Sequence, residues 1–130
     1  MQPEDIGEQG ENEVSRILFE AGCSIRRDDR LIILPNDDLC FLEVKNKEPW
    51  EPPPDYMQGI HESQYRNYMK FYEKKNIRTL VFVRGINKEW LANWLDNLRP
   101  DVYRQLKDGK EYVFFKLSKF IPYKRLSLVR

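Results

Sequence analysis

Two short apolar runs, Leu31 to Leu34 and Leu39 to Leu42, flank Pro35-Asn36-Asp37-Asp38. That spacing constrains the chain to a β-hairpin, because four consecutive turn-forming residues separate two stretches of strand length. Residues i and i+2 of a strand share a face, so Glu43 and Lys45, which continue the second run, point together while Val44 points the other way, into the core. With the turn centred on Asn36, Asp29 falls opposite Glu43 and the two side chains lie alongside each other. Neighbouring carboxylates repel unless a cation stands between them, and a lysine at a buried edge needs a partner or a task. A divalent ion with a lysine-positioned water meets both needs.

The flanking sequence supplies the rest of an α/β fold. Val14, Ile17, Leu18 and Ala21 recur at helical spacing and predict a helix over 8–21, stopped by Gly22. Glu11 belongs to that apolar stripe, where an unpaired carboxylate is costly to bury, or reaches solvent near the helix N-terminus, where a negative charge is favoured. Four prolines between Lys47 and Tyr56 exclude regular structure there. Trp50 and Tyr56 on that loop either anchor it to the core or stack on nucleotide bases. Tyr65, Tyr68, Met69 and Tyr72 predict a second helix over 62–74, with Gln64 near its start. The unbroken run Leu80 to Val83 reads as a strand buried on both faces, reached by a helical crossover and therefore parallel. Asn87 caps an expected third helix carrying Trp90, Leu91, Trp94, Leu95 and Leu98, which Pro100 ends. A helical turn at 102–106, the Asp108-Gly109 turn and a strand over 112–117 follow, and the tail from Phe120 reads as an edge strand or an arm.

Composition narrows the function classes. A chain of 130 residues, 41% apolar and 33% charged, suits one folded domain with a well-solvated surface. No stretch approaches the roughly 20 apolar residues of a membrane span, and the acidic, polar start is unlike a signal peptide. The expected location is intracellular, in the cytoplasm or, for a viral protein, the host-cell cytoplasm. Cys23 and Cys40, with His61 as the only histidine, lack zinc-site spacing and are expected to be buried free thiols. The net charge of +1 conceals a gradient: residues 1–50 hold 12 acids against 6 bases, and residues 101–130 hold 3 against 8. An acidic half joined to a basic half suits a polyanion gripped on one side and cut on the other, or is ordinary variation.

A Glu-x-Lys triplet is common, and Glu73-Lys74-Lys75 repeats the spelling at the polar end of a helix as a solvated cluster. Glu43-Val44-Lys45 differs in its context: a strand, an acid upstream across a turn, a glutamate on the preceding helix, and Gln64 on the following one. In that context residues 7–98 resemble the PD-(D/E)XK nuclease superfamily, and are most similar to the branch of VRR-NUC domains and archaeal Holliday junction resolvases. Gly10-Glu11 with Val14, Leu18 and Gly22 is similar to the opening helix, and Val83-Arg84 to a shortened VRR signature. The proline that usually leads the acidic pair is missing before Asp29, and Gly85 follows Arg84 where a second arginine is usual.

The resemblance implies a restriction-endonuclease-like core of helix, three-stranded antiparallel meander, helix and parallel strand. A C-terminal helix and strand are added, with residues 99–130 as an extension of one nuclease domain. It further implies Mg²⁺ or Mn²⁺ held by Asp29, Glu43, the Val44 carbonyl and Glu11, with Lys45 and Gln64 completing the catalytic set. The expected reaction is hydrolysis of DNA phosphodiester bonds, structure-selective and endonucleolytic, leaving 5′-phosphate ends. Arg26, Arg27, Lys47 and Arg84 become candidates for contacts to the DNA backbone. A homodimer is expected where both strands are cut, and no membrane partner. Asp28, Asp37 or Asp38 replaces Asp29 if the hairpin register slips or the turn lies elsewhere. Two alternatives stay open: a non-catalytic nucleic-acid-binding relative, and a small α/β interaction module in which Glu43 and Lys45 form a surface ion pair.

Overall fold

The computed structural model describes residues 3–26, 30–50 and 55–128. Helix α1 (Pro3–Glu20) begins earlier than its apolar spacing indicates and buries Gly10, Val14 and Leu18, one residue per turn, on a single face. It ends where Gly22 takes φ 94, with Gly22 N–H donating to the Phe19 carbonyl and Cys23 N–H to that of Leu18. These two bonds satisfy carbonyls that the helix end would otherwise leave unpaired.

The chain then makes β1 (Ser24–Arg26), β2 (Leu31–Ile33) and β3 (Leu39–Lys45), an antiparallel meander. Leu31 pairs with Phe41 and Ile32 with Cys40, the register expected from a turn centred on Asn36. Strand β4 (Met57–His61) leads directly into α2 (Glu62–Lys75), which Asn76 closes in the left-handed conformation. Strand β5 (Arg78–Arg84) returns parallel to β3, pairing Glu43 with Val81 and Lys45 with Val83.

The expected third helix is not present. Residues Trp90–Trp94 form strand β6, antiparallel to β5, and a single 3-10 turn covers Leu95–Asn97. The reason lies in the spacing: Trp90 and Trp94, four apart, share a face of a helix and of a strand alike. The β alternative also pairs the second edge of β5, and Trp90, Ala92 and Trp94 are buried in alternation. Asn87 accordingly sits in a hairpin turn, closed by Gly85 N–H to the Glu89 carbonyl, rather than capping a helix. The expected helical turn after Asp101 is likewise strand β7 (Val102–Gln105), which pairs with β8 (Glu111–Lys116). The tail contributes the short edge strand β9 (Ile121–Pro122).

Among the described residues two sheets result, a six-stranded one in the order β1-β2-β3-β5-β6-β9 and a three-stranded one in the order β4-β8-β7. Helix α1 covers one face of the larger sheet, over Cys40, Leu42, Leu80 and Phe82. Helix α2 and the smaller sheet cover the other, where Ile60, Val113 and Phe115 pack with Val81 and Val83. Strand β5 is thus buried on both sides, as its unbroken apolar run requires. Cys23 and Cys40 are buried free thiols. Among the described residues, no helix is long and apolar enough to cross a membrane.

Glycine fixes how closely α1 approaches β3. A Cβ built at Gly10 would stand 2.5 Å from the Asn46 Cβ, closer than packed carbons tolerate. Asn46 cannot yield easily, since it donates to the Ile6 carbonyl and accepts from Arg84. Gly10→Val therefore forces the helix off the strand and is expected to cost about 2 kcal/mol from overpacking, which outweighs the few tenths gained in helix propensity over glycine. Urea denaturation measures it; an unchanged midpoint would show that the close approach is not needed.

Candidate active site

The hairpin register and the parallel pairing with β5 bring Glu43 to the α2 face of the larger sheet, where only 1% of its surface is exposed. A buried carboxylate needs compensation, and Glu43 has three partners. The Tyr68 hydroxyl donates to Oε2 at 2.5 Å, an Arg30 guanidinium nitrogen stands 3.5 Å from the same oxygen, and Lys45 Nζ lies 3.2 Å from Oε1. Lys45, two residues along the strand, shares the face of Glu43, and its side chain is 15% exposed. Burial, then the charge of Glu43, pushes the Tyr68 phenol well above its ordinary range, so it stays protonated and remains a donor.

Glu11 approaches the same place from α1. Its carboxylate is half-exposed, so it lies on the solvent side of the apolar stripe, and it pairs with a second Arg30 nitrogen at 3.5 Å. Val44 faces the same strand edge. Leu42 N–H donates to the Arg30 carbonyl at 2.9 Å. Alternate residues of a strand direct their backbone groups to one edge, so the Val44 carbonyl looks toward the side that Arg30 occupies, beyond the Leu39–Phe41 stretch that β2 pairs.

Asp29 and Arg27, together with Asp28, lie outside the described residues. Asp37 and Asp38 sit in the turn before β3, at the opposite end of that strand from Glu43 and about 17 Å away along it. They are not available to it. Gln64 lies in the first turn of α2, and its Oε1 is buried with no hydrogen-bond partner among the described residues. Arg26 ends β1 and lines a cavity of about 270 Å³ with Glu8, Glu11 and Arg30. Lys47 is exposed and lines a separate cleft of about 590 Å³ beside Tyr56 and Lys88.

Arg84 is committed within the fold. It pairs with Glu13, donates to Asn46 Oδ1 and the Lys88 carbonyl, each at 2.8 Å, and stacks 3.7 Å above the Trp90 ring. Buried Gln58 ties the same strand ends together, its amide donating to the carbonyls of Lys47 and Arg84. His61, at the junction of β4 and α2, is held below its ordinary value by burial and by the charges of Lys45 and Lys110, so it is neutral near pH 7. Sequence reasoning missed Arg30 and Tyr68. A tyrosine stripe reads as core, and only the tertiary fold shows that one hydroxyl reaches Glu43.

Among the described residues, no three His, Cys, Asp or Glu side chains gather into a metal cluster. The two acids that do converge, with a backbone carbonyl on the same edge, are the hard oxygen donors that Mg²⁺ and Mn²⁺ prefer. A guanidinium spanning both carboxylates marks where positive charge is accommodated, so the residues present fit such an ion.

No protein-family model matches the sequence. Among solved structures, Hjc from Archaeoglobus fulgidus, a Holliday junction resolvase from an archaeal hyperthermophile, superposes with a TM-score of 0.59. The alignment covers 88% of this chain and 86% of that one, at 11% identity. The chain shares that resolvase's fold. Among curated sequences, fast-type myosin-binding protein C of Gallus gallus is 31% identical over 101 residues, 76% of this chain. The chain spans only 8% of the length of that protein.

Proposed function

We propose that the protein is a metal-dependent nuclease of the PD-(D/E)XK superfamily that hydrolyses phosphodiester bonds in branched or duplex DNA and leaves 5′-phosphate ends. The observation that carries this reading is Glu43, a carboxylate buried to 1% exposure beside the ammonium of Lys45 and linked to Glu11 through Arg30. An ion pair kept for stability gains little from such burial, since apolar residues of similar volume do as well or better. The fold shared with a Holliday junction resolvase supports the DNA class, and the VRR-NUC and resolvase branch is the assignment the Glu43-Val44-Lys45 context favours.

Glu43, Glu11 and the Val44 carbonyl would hold Mg²⁺ or Mn²⁺, with Asp29 assigned to the set on sequence alone. When bound, the ion supplies Lewis acidity and positive charge at the scissile phosphate. Lys45 orients the attacking water and donates to the phosphate oxygen on which charge builds. Tyr68 donates to Glu43 Oε2 and so sets the orientation of the carboxylate. Gln64, with its buried acceptor unpaired among the described residues, steadies the Lys45 ammonium or the substrate. Arg26, Arg27 and Lys47 supply backbone contacts, while Arg84 braces the ends of β3 and β5.

The deciding experiment incubates the protein with labelled linear, nicked, flapped and four-way DNA in Mg²⁺, Mn²⁺ or EDTA. Cutting in either metal, none in EDTA, and products that ligate without phosphorylation are expected. A salt-dependent mobility shift with no cleavage of any substrate would replace this reading with a non-catalytic DNA-binding one.

A further inference from the structure

The geometry points to Arg30 as a built-in counter-cation of the divalent site, a resident positive charge that an entering metal ion must displace. This inference rests on the metal-dependent reading above. Arg30 reaches Glu43 with one terminal nitrogen and Glu11 with the other, both at 3.5 Å, so one planar cation spans carboxylates from two different elements. Those separations exceed the roughly 2.7–2.9 Å of a charge-assisted hydrogen bond. Charge holds the guanidinium there more than directional bonding does.

Its backbone is consistent with a positioned group. Arg30 has φ 53, in the left-handed region that arginine disfavours and that glycine or asparagine enters more easily. Its carbonyl is pinned by Leu42 N–H at 2.9 Å, so the conformation is fixed at the end of β2. Strain kept at a residue facing two acids indicates that the placement has a use. The side chain is 49% exposed, so it can swing into solvent without crossing the core. Burial opposes its charge, but Glu43 and Glu11 more than offset that, and the guanidinium stays ionised.

The consequence is competition for the same atoms. Without metal, Arg30 neutralises Glu43, whose other partners are one lysine and one neutral phenol. Glu43 and Glu11, the carboxylates that would hold a divalent ion, are the two that Arg30 uses, so the guanidinium would leave as the ion enters. Apparent metal affinity is the intrinsic affinity multiplied by the fraction of molecules in which Arg30 is open. A monovalent ion gains nothing over the guanidinium, so the exchange favours divalent charge.

The test titrates Mn²⁺ alone into wild type, Arg30→Ala, Arg30→Lys and Glu43→Gln, reading free Mn²⁺ by electron paramagnetic resonance. Arg30→Ala is expected to bind about tenfold tighter than wild type, equivalent to ~1.4 kcal/mol, and to melt at lower temperature until Mn²⁺ is added. Arg30→Lys, with a single-point charge, falls between the two and decides the matter if the alanine variant does not fold. Equal or weaker Mn²⁺ binding by both Arg30 variants, with binding still abolished in Glu43→Gln, overturns the counter-cation while the metal reading stands. Absence of Mn²⁺ binding by wild type and Arg30→Ala alike removes the metal reading and this inference together.

Discussion

Lys45→Ala is expected to lose metal-dependent DNA cleavage by a factor on the order of 10²–10³, the usual cost of removing one donor aimed at transition-state charge. Fold and Mn²⁺ binding should survive, because Glu43 keeps Tyr68 and Arg30 as partners when the ammonium is gone. Single-turnover cleavage at saturating Mn²⁺ separates the two effects: the rate falls while the metal titration does not move. A variant that cuts as fast as wild type would place the chemistry at some other residue or in a contaminant. Arginine at this position is not expected to restore the rate, since a planar fork cannot stand in for a compact ammonium.

Glu43→Ala is the second large effect, and it acts on stability and metal binding together. The substitution opens a cavity at a fully buried position and strips the partner from Lys45 and from the Tyr68 hydroxyl. Breaking such a buried arrangement from one side costs about 3 kcal/mol, the lower end of the range for a buried ion pair because Arg30 is half-exposed. Glu43→Gln keeps the shape and one acceptor oxygen, so its cost is nearer 1 kcal/mol. Both should abolish the rise in melting temperature that Mn²⁺ gives wild type. If the glutamine variant retained that rise, the ion would be bound elsewhere.

The sequence carried the hairpin more clearly than its surroundings. The register of β2 on β3 was readable because two apolar runs and a four-residue turn admit one pairing that buries Ile32 and Cys40 together. The common face of Glu43 and Lys45 then follows from strand alternation alone. The parallel strand β5 was readable for the same kind of reason, an unbroken apolar run after a helix.

What was not readable depended on partners far along the chain. Strand β6 has the signature of a helix as well, because tryptophans four apart satisfy both periods, and only the unpaired edge of β5 decides between them. Strand β4 carries a glycine and a glutamine in five residues, and β7 is mostly exposed, so neither shows a clear alternation. The role of Arg30 requires a left-handed backbone that no local rule assigns to arginine. Arg84, a candidate contact to the DNA backbone from sequence, is surrounded by Glu13, Asn46 and Trp90, partners that local sequence does not reveal.

The parallel pairing of β3 with β5 also sets when the Glu43 site can first assemble in a newly made chain. Glu43 meets Tyr68 across 25 residues and is flanked by β5 only after α2 has crossed over, so its burial waits on non-local closure, the slow class of folding event. A nascent or partly folded chain can form the β2–β3 hairpin early, from neighbouring residues, and still lack the helix that orients the carboxylate. The buried environment of Glu43 is therefore completed late, after α2 and β5 have been made and packed.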